Sequence, residues 1–457
     1  MSVTTAADLP LSAAQRTWQA QAGAFALGRW SPLEVFDAYA GRIARFNPKL
    51  NAVLDTRLQD ARAEAADSAD RWARGAPLSE IDGAFVLVKA NIAVAGLPWH
   101  AGIKAYERRI AREDAACVAA LKRAGAIVAG TVNMEEGALG AVTDNPWFGR
   151  TLNPWGGADE AITPGGSSGG SGAAVAAGLC VMALGTDTMG SVRIPAAYCG
   201  VAGHKPGRGL VPTDGVIALS RTLDHVGPLT RSARDLSAFL AALCGRPQRP
   251  QKGLTGLKIG VWRFEDALTL HRDVASAWRT ALARLENAGA ELIEVSPHRY
   301  QYGRTRRRGL LISELEGHQV HAEKLKEDPK GFSNHFRRLL DWGAGQPADK
   351  AHAAYEEIRR VEGDAEAWFS RCDLVAAPTA LEPAFAFGEE PPAGQADLTA
   401  FADMAGCAAT AVPMGRSRDG RPVSIQFMAA RGADQLAIKA AAQFETLTGG
   451  PFIPPGW

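Results

Sequence analysis

GGSSGGSG at 165–172 and GTDTMGSVRIP at 185–195 place two serines, Ser167 and Ser191, 24 positions apart in surroundings nearly free of side chains. Ten glycines fall between Gly156 and Gly190. Glycine weakens helices and strands alike, so such a density calls for unusual dihedrals or for close approach of backbone to another group. Nucleophilic attack beside a backbone oxyanion hole needs both. Upstream, in AFVLVKANIAVAG, Lys89 follows Phe85, Val86, Leu87 and Val88 and precedes Ile92, Ala93 and Val94. A lysine in such a run is not a solvated surface charge. An isolated buried ammonium is costly, its pKa falls towards neutrality unless it is paired, and a neutral amine can act as a general base.

The remaining chain is read around these three residues. At 457 residues it is long enough for several domains, yet large single α/β units of this size occur, and one unit is expected. Charge is balanced, with 50 Lys and Arg against 49 Asp and Glu, which leaves no electrostatic footprint for nucleic acid and no pull towards an acidic membrane. A small-molecule substrate fits better. The start, MSVTTAADLPLSAAQRTW, lacks the basic region, apolar core and cleavage site of a secretory leader, and no run of 18 apolar residues occurs, so a soluble cytoplasmic protein is expected. Cys117, Cys180, Cys199, Cys244, Cys372 and Cys407 lack CxxC or His-paired spacing and read as reduced, buried thiols; no metal site is expected.

Helix and strand patterns alternate, which points to an α/β fold. Residues from about 11 to 75 read as helical; in 31–46 Leu33, Val35, Phe36, Tyr39, Ile43 and Phe46 recur at helical spacing behind a Ser31 cap and Pro32. Strands are expected at 85–89, in GAIVAGTV after a helix at 115–124, at LKIGVW, at 291–295 after a helix at 273–288, at DLVAAPTA, and in RPVSIQFMAA, read as alternating and followed by a helix at 433–447. GAAVAAGLCVMAL at 172–184 reads as one helix buried on all sides, joining the two glycine loops. Residues 300–364 are charged and helical, with Arg304, Arg306, Arg307 and Arg308 at their start; they form the expected variable insertion or lid.

GGSSGGS, GTDTMGSVRIPAAYCG and LDHVGPLTRSARD (223–235) stand in an order and spacing that a chance glycine-rich loop would not reproduce. With Lys89, they make the chain resemble the amidase signature family, whose members hydrolyse amides with a Ser, cis-Ser, Lys triad. The resemblance is strong over about 30–245 and weaker over 370–445. It implies one amidase-signature domain spanning 1–457, with a helical part at 1–75, a catalytic core at 76–245, a helical insertion at 300–365 and the end of the core at 370–457. The implied architecture is a central mixed β-sheet flanked by helices on both faces. It assigns the nucleophile to Ser191, the cis-serine to Ser167 behind a cis Gly166–Ser167 peptide, and the base to Lys89. The oxyanion hole falls on the backbone N–H groups of Thr188, Met189, Gly190 and Ser191. Asp187, Arg193, Gly166 and Ser168 are supporting residues; Asp187 and Arg193 read equally as a structural ion pair. No cofactor is implied, the substrate is a small-molecule amide, and a homodimer is the state that family analogy suggests.

The chain departs from the commonest family pattern at several points. Met189 occupies a position that is often glycine, where a Cβ restricts positive φ and the side chain can enter the pocket. Ala90 replaces a common Asp after the lysine, and Trp99 and His100 replace small hydroxyl residues. Trp99, Met189 and Cys407 are the candidate substrate contacts, with Gly406, Ala408 and Gln426 nearby, while Asn133, Met134, Asn145 and Asn153 are expected to be structural.

Other readings compete. Gly165-Gly166-Ser167-Ser168-Gly169 satisfies the G-x-S-x-G elbow of α/β-hydrolases, but ADEAITP before it is not strand-like, and the adjacent Asp224 and His225 cannot both converge on one serine. A phosphate-binding loop would need GxxxxGK[ST], or GxGxxG after a strand, and neither occurs. Within the family, the chain can be a free amidase or a subunit of an amidotransferase or of a partner-dependent hydrolase complex. The Arg304–Arg308 cluster reads as a solvated helix face, or as a carboxylate attractor if it lies over the pocket.

Overall fold

The computed structural model describes residues 12, 16–157, 160–245 and 253–457. Most of the N-terminal segment weighed as a leader, and the start of ADEAITP, lie outside that set. After α1 (Trp18–Ala26) comes α2 (Pro32–Leu50), which is fixed at its start by a reciprocal capping box. The Glu34 N–H donates to Ser31 Oγ at 3.2 Å and the Ser31 N–H donates to Glu34 Oε2 at 2.7 Å, so two otherwise unpaired donors of the first turn are satisfied.

The helical reading of the first 75 residues is then interrupted. Residues Val53–Thr56 form a strand, β1, before α3 (Leu58–Ala73). Four residues are too few for a periodic signal, and their state is set by antiparallel pairing with β3 (Ile127–Val132). β2 (Phe85–Lys89) and α4 (Ala116–Arg123) fall where the pattern puts them. β4 (Asp144–Asn145) and β5 (Gly149–Arg150) form a separate small hairpin.

A second correction concerns 172–184. The helix α5 (Gly169–Ala176) stops early, Gly178 turns the chain at φ 68°, and Met182–Asp187 is a strand, β6. A short, fully buried apolar run has no polar face, so periodicity cannot separate helix from strand, and partners on both sides decide. Here β6 runs parallel to β2, with Val86 opposite Met182 and Val88 opposite Leu184, and antiparallel to β8 (His225–Thr230).

Between β6 and β8 lie α6 (Arg193–Cys199) and β7 (Ala202–Lys205); α7 (Leu236–Cys244), β9 (Lys258–Trp262), α8 (Arg272–Asn287) and β10 (Glu291–Val295) follow. The charged stretch is three helices, α9 (Tyr302–Glu327), α10 (Asn334–Ala344) and α11 (Ala348–Phe369). The chain closes with β11 (Leu374–Pro378), α12 (Ala400–Met404), β12 (Ala408–Arg416), β13 (Pro422–Ala429) and α13 (Asp434–Leu447). β13 is buried at every position rather than alternating, because it lies inside the sheet with both faces covered.

Eleven strands form one mixed sheet in the order β1-β3-β2-β6-β8-β7-β12-β13-β11-β9-β10. Side chains alternate between faces along a strand, and β11 makes the consequence visible. Leu374 and Ala376 join one apolar core with Trp278 and Leu285 of α8, whereas Val375 and Ala377 join another with Ile312 of α9 and Trp368 of α11. The sheet is therefore covered by helices on both faces.

Among the described residues no helix is long and apolar enough to cross a membrane. Among the described residues no disulfide forms; five of the cysteines are buried and Cys244 is half-buried on α7.

Candidate active site

Lys89 is the last residue of β2, and the adjacent parallel strand β6 ends in Thr186 and Asp187, so both deliver side chains to the same sheet end. This carboxyl end is where open α/β sheets place their sites. Lys89 Nζ donates to Ser167 Oγ at 2.6 Å and to Thr186 Oγ1 at 2.8 Å. The amine is wholly buried, and burial draws its pKa down to about 7, against the opposing pull of Asp224, Asp187 and Glu135. Ser167 follows a cis peptide bond with Gly166, whose Cα has no room for a side chain against the backbone of Ala141 and Val142.

Ser168 ties the two glycine loops together. Its N–H donates to the Ser191 carbonyl at 3.2 Å, and its Oγ donates to the Thr186 carbonyl at 3.1 Å. Ser191 thus sits beside the Ser167 loop, although no hydrogen bond joins the Ser167 and Ser191 side chains among the described residues. Ser191 borders a cavity of about 190 Å³ whose wall includes Met189, Ile194, Leu219, Leu310 and Arg306.

The loop that carries Ser191 is organised by Asp187. This carboxylate accepts the Gly190 N–H at 2.5 Å and the Val192 N–H at 3.1 Å, and pairs with Arg193 Nε at 3.0 Å. Burial alone raises an Asp187 carboxyl, but the Arg193 guanidinium outweighs it and holds the group below its ordinary value. Arg193 also donates to Asp403 Oδ2 at 2.6 Å and to Gln426 Oε1 at 2.9 Å.

One expectation is overturned here: the Gly190 N–H is taken by Asp187 and is not a free oxyanion donor. No described residue takes the N–H of Thr188, Met189 or Ser191. The φ of 131° at Gly190, with Thr399 Oγ1 pressed against the place where a Cβ would stand, explains the glycine. Met189 is not among the residues with positive φ, so its Cβ meets no backbone conflict. Its carbonyl accepts from Thr399 Oγ1 at 2.7 Å.

Two expected substrate contacts lie elsewhere. Trp99 is tied by its ring N–H to the Asn91 carbonyl at 2.9 Å, lies under the Arg109 guanidinium, and faces a different depression. Cys407 is buried in the apolar core beneath α9 and α11. His100 stacks on Phe148 at 4.1 Å and burial pushes its pKa down to about 4, so it too is a packed residue. Gln426 reaches Arg193 rather than the cavity, and the Asn153 amide bridges the carbonyls of Thr163 and Tyr198.

The basic cluster divides. Arg304 and Arg307 are exposed and Arg308 pairs with Glu357, whereas Arg306 lines the cavity with its Nε on Asp397 Oδ1 at 2.8 Å.

Thr186, Asp224, Thr399 and Asp403 also belong to the site, and sequence reasoning gave none of them a role in it. Thr186 lies inside the GTDT motif and was within reach. Asp224 accepts from Thr188 Oγ1 at 2.6 Å, and burial lifts its pKa to about 6. Thr399 and Asp403 carry no local signal, since they lie some 210 positions from the groups they hold. As expected from their adjacency, Asp224 and His225 do not converge on one serine: His225 Nδ1 faces the Asp187 carbonyl at 3.3 Å.

The family model described as Amidase matches residues 34–438. One subunit of the glutamyl-tRNA(Gln) amidotransferase of Thermus thermophilus is 36% identical over 462 residues, covering 93% of this chain and 95% of the relative. A solved amidase superposes with a TM-score of 0.87 at 30% identity, covering 94% of this chain and 99% of the other. A peptide amidase in complex with the competitive inhibitor chymostatin gives 0.85 at 26% identity, covering 98% and 100%. The chain belongs to the amidase signature family.

Proposed function

We propose that this protein hydrolyses a small carboxylic amide to carboxylate and ammonia or amine, through an acyl-enzyme on Ser191. The observation that carries the reading is a buried amine of depressed pKa, 2.6 Å from Ser167 Oγ, beside a cavity that ends on Ser191.

Neutral Lys89 accepts the Ser167 proton, Ser167 accepts the proton of Ser191, and Ser191 Oγ attacks the carbonyl. The relay closes when the Ser191 side chain turns towards Ser167, since catalytic hydrogen bonds tighten in the substrate complex. The oxyanion is received by N–H groups of Thr188, Met189 and Ser191, each such donor being worth about 2.7–4 kcal/mol. The leaving amine recovers its proton through the same chain, and water repeats the sequence to release the acid. Asp187 and Arg193 hold the loop and take no proton. The protein acts in the cytoplasm, as a homodimer by analogy with the family.

A second reading makes the chain one component of an amidotransferase or of a partner-dependent hydrolase; the 36% identity to a protein of the former kind, over nearly the whole chain, supports it. The purified protein and its Ser191→Ala variant, offered aliphatic, aryl, amino-acid and carboxylated amides, separate the two. Release of ammonia or amine by the parent, lowered roughly 10⁴- to 10⁶-fold in the variant, supports the free amidase. Equal rates in both remove Ser191 as nucleophile. Silence with every amide favours the partner-dependent form.

A further inference from the structure

We propose that Met189 and Gly309 form a matched pair that sets the width of the acyl pocket and makes this enzyme favour narrow acyl groups over wide ones. The proposal rests on the amidase reading above and adds the substrate class.

The backbone of Met189 is held on both sides. Thr188 Oγ1 is on Asp224 at 2.6 Å, the Met189 carbonyl is on Thr399 Oγ1 at 2.7 Å, and the Gly190 N–H is on Asp187 at 2.5 Å. The side chain leaves this rigid loop at the cavity wall and ends against α9. There the thioether lies on bare backbone: a Cβ at Gly309 would stand 2.8 Å from Met189 Cε and 3.0 Å from its Sδ, with Met404 Sδ at 3.6 Å behind.

Contacts under 3.0 Å do not occur without a shift, and the group that can shift here is the flexible thioether. Gly309 is eight positions into a 26-residue helix and has no positive φ, so no backbone conformation calls for glycine there. Inside a helix glycine is less favourable than alanine. What it supplies is room for Met189.

The same helix continues the cavity wall through Arg306 one turn before and Leu310 one position after. Met189 therefore wedges between the Ser191 loop and α9, and the position of its thioether fixes how wide an acyl group can lie beside Ser191. The cavity of about 190 Å³ is partly open to solvent, so what this wall limits is the width of the group that lies beside Ser191.

The test is a double-mutant cycle read as kcat/KM for acetamide, benzamide and 2-naphthamide. Gly309→Ala drives the thioether into the cavity and should lower the benzamide-to-acetamide ratio about tenfold, the scale at which an apolar pocket feels one or two methylenes. Met189→Ala should raise the naphthamide-to-benzamide ratio by a similar factor. In the double variant the added Cβ meets no thioether, so Gly309→Ala should have little further effect. Ratios that do not move, or effects that simply multiply in the double variant, overturn the pair.

A crystal structure of Gly309→Ala supplies a readout independent of turnover. Met189 turned into the cavity supports the proposal, and Met189 unmoved overturns it. If the parent hydrolyses none of the three amides, that failure belongs to the amidase reading, and the structure still decides the pairing.

Discussion

Because Lys89 Nζ is wholly buried and its pKa is drawn down to about 7 by that burial, the reaction inherits a definite pH dependence. Only the neutral amine accepts a proton, so kcat/KM should climb through about pH 7 and stay high at mildly alkaline pH. A profile flat from about pH 5 to 9 would count against a lysine base. Lys89→Ala should lower kcat on the order of 10²- to 10⁴-fold with little change in KM, and a loss confined to KM would make Lys89 a binding residue. Stability carries the same signature. The unfolded lysine titrates near 10.5 and the folded one near 7, so between these values the unfolded chain holds more protons and stability rises with pH. In Lys89→Met that rise should flatten, as read by denaturant midpoints from pH 7 to 10. Burial of this one side chain was legible from its four apolar predecessors, whereas the fate of the Gly190 N–H was not, because a carboxylate three residues away takes it only once the loop has closed.

At the scale of elements, signals that are local chemistry carried through to the structure. The Ser31–Glu34 box starts α2 where the cap predicts it, and Ser31→Ala should cost about 1 kcal/mol, seen as a lower urea midpoint at unchanged m, with amidase activity kept. Signals that depend on a neighbour were misread. β6 looked like the continuation of a buried helix, and β1 like part of a helical region, because neither short run displays its hydrogen-bonding partner in its own residues. The error at β6 mattered for the site: the two glycine loops are joined not by a single helix but by α5, a turn at Gly178 and a strand. That strand sets Thr186 beside Lys89 and starts Asp187 on its loop.

Across the whole molecule, Arg193 joins distant parts of the chain, pairing with Asp187 at the end of β6, Asp403 on α12 and Gln426 on β13, all wholly buried. Arg193→Met would leave the buried Asp187 carboxylate without the guanidinium that holds its pKa down. Breaking such a pair costs about 3–5 kcal/mol, so the melting temperature should fall and activity should go with it as the Ser191 loop loosens. A variant that keeps both parental Tm and parental kcat would show that the network holds nothing. By itself the sequence determined the α/β class, the α2 cap, the buried lysine and the two serine loops, since each rests on residues close together in the chain. Only the tertiary structure decided which backbone donors stay free, that Trp99 and Cys407 face away from the cavity, and that α9 brings Arg306, Gly309 and Leu310 to its wall. The place of α9 depends on contact between segments more than a hundred positions apart, and the fates of the Gly190 N–H and of Trp99 on how nearby residues fold back onto them, and no local pattern records either.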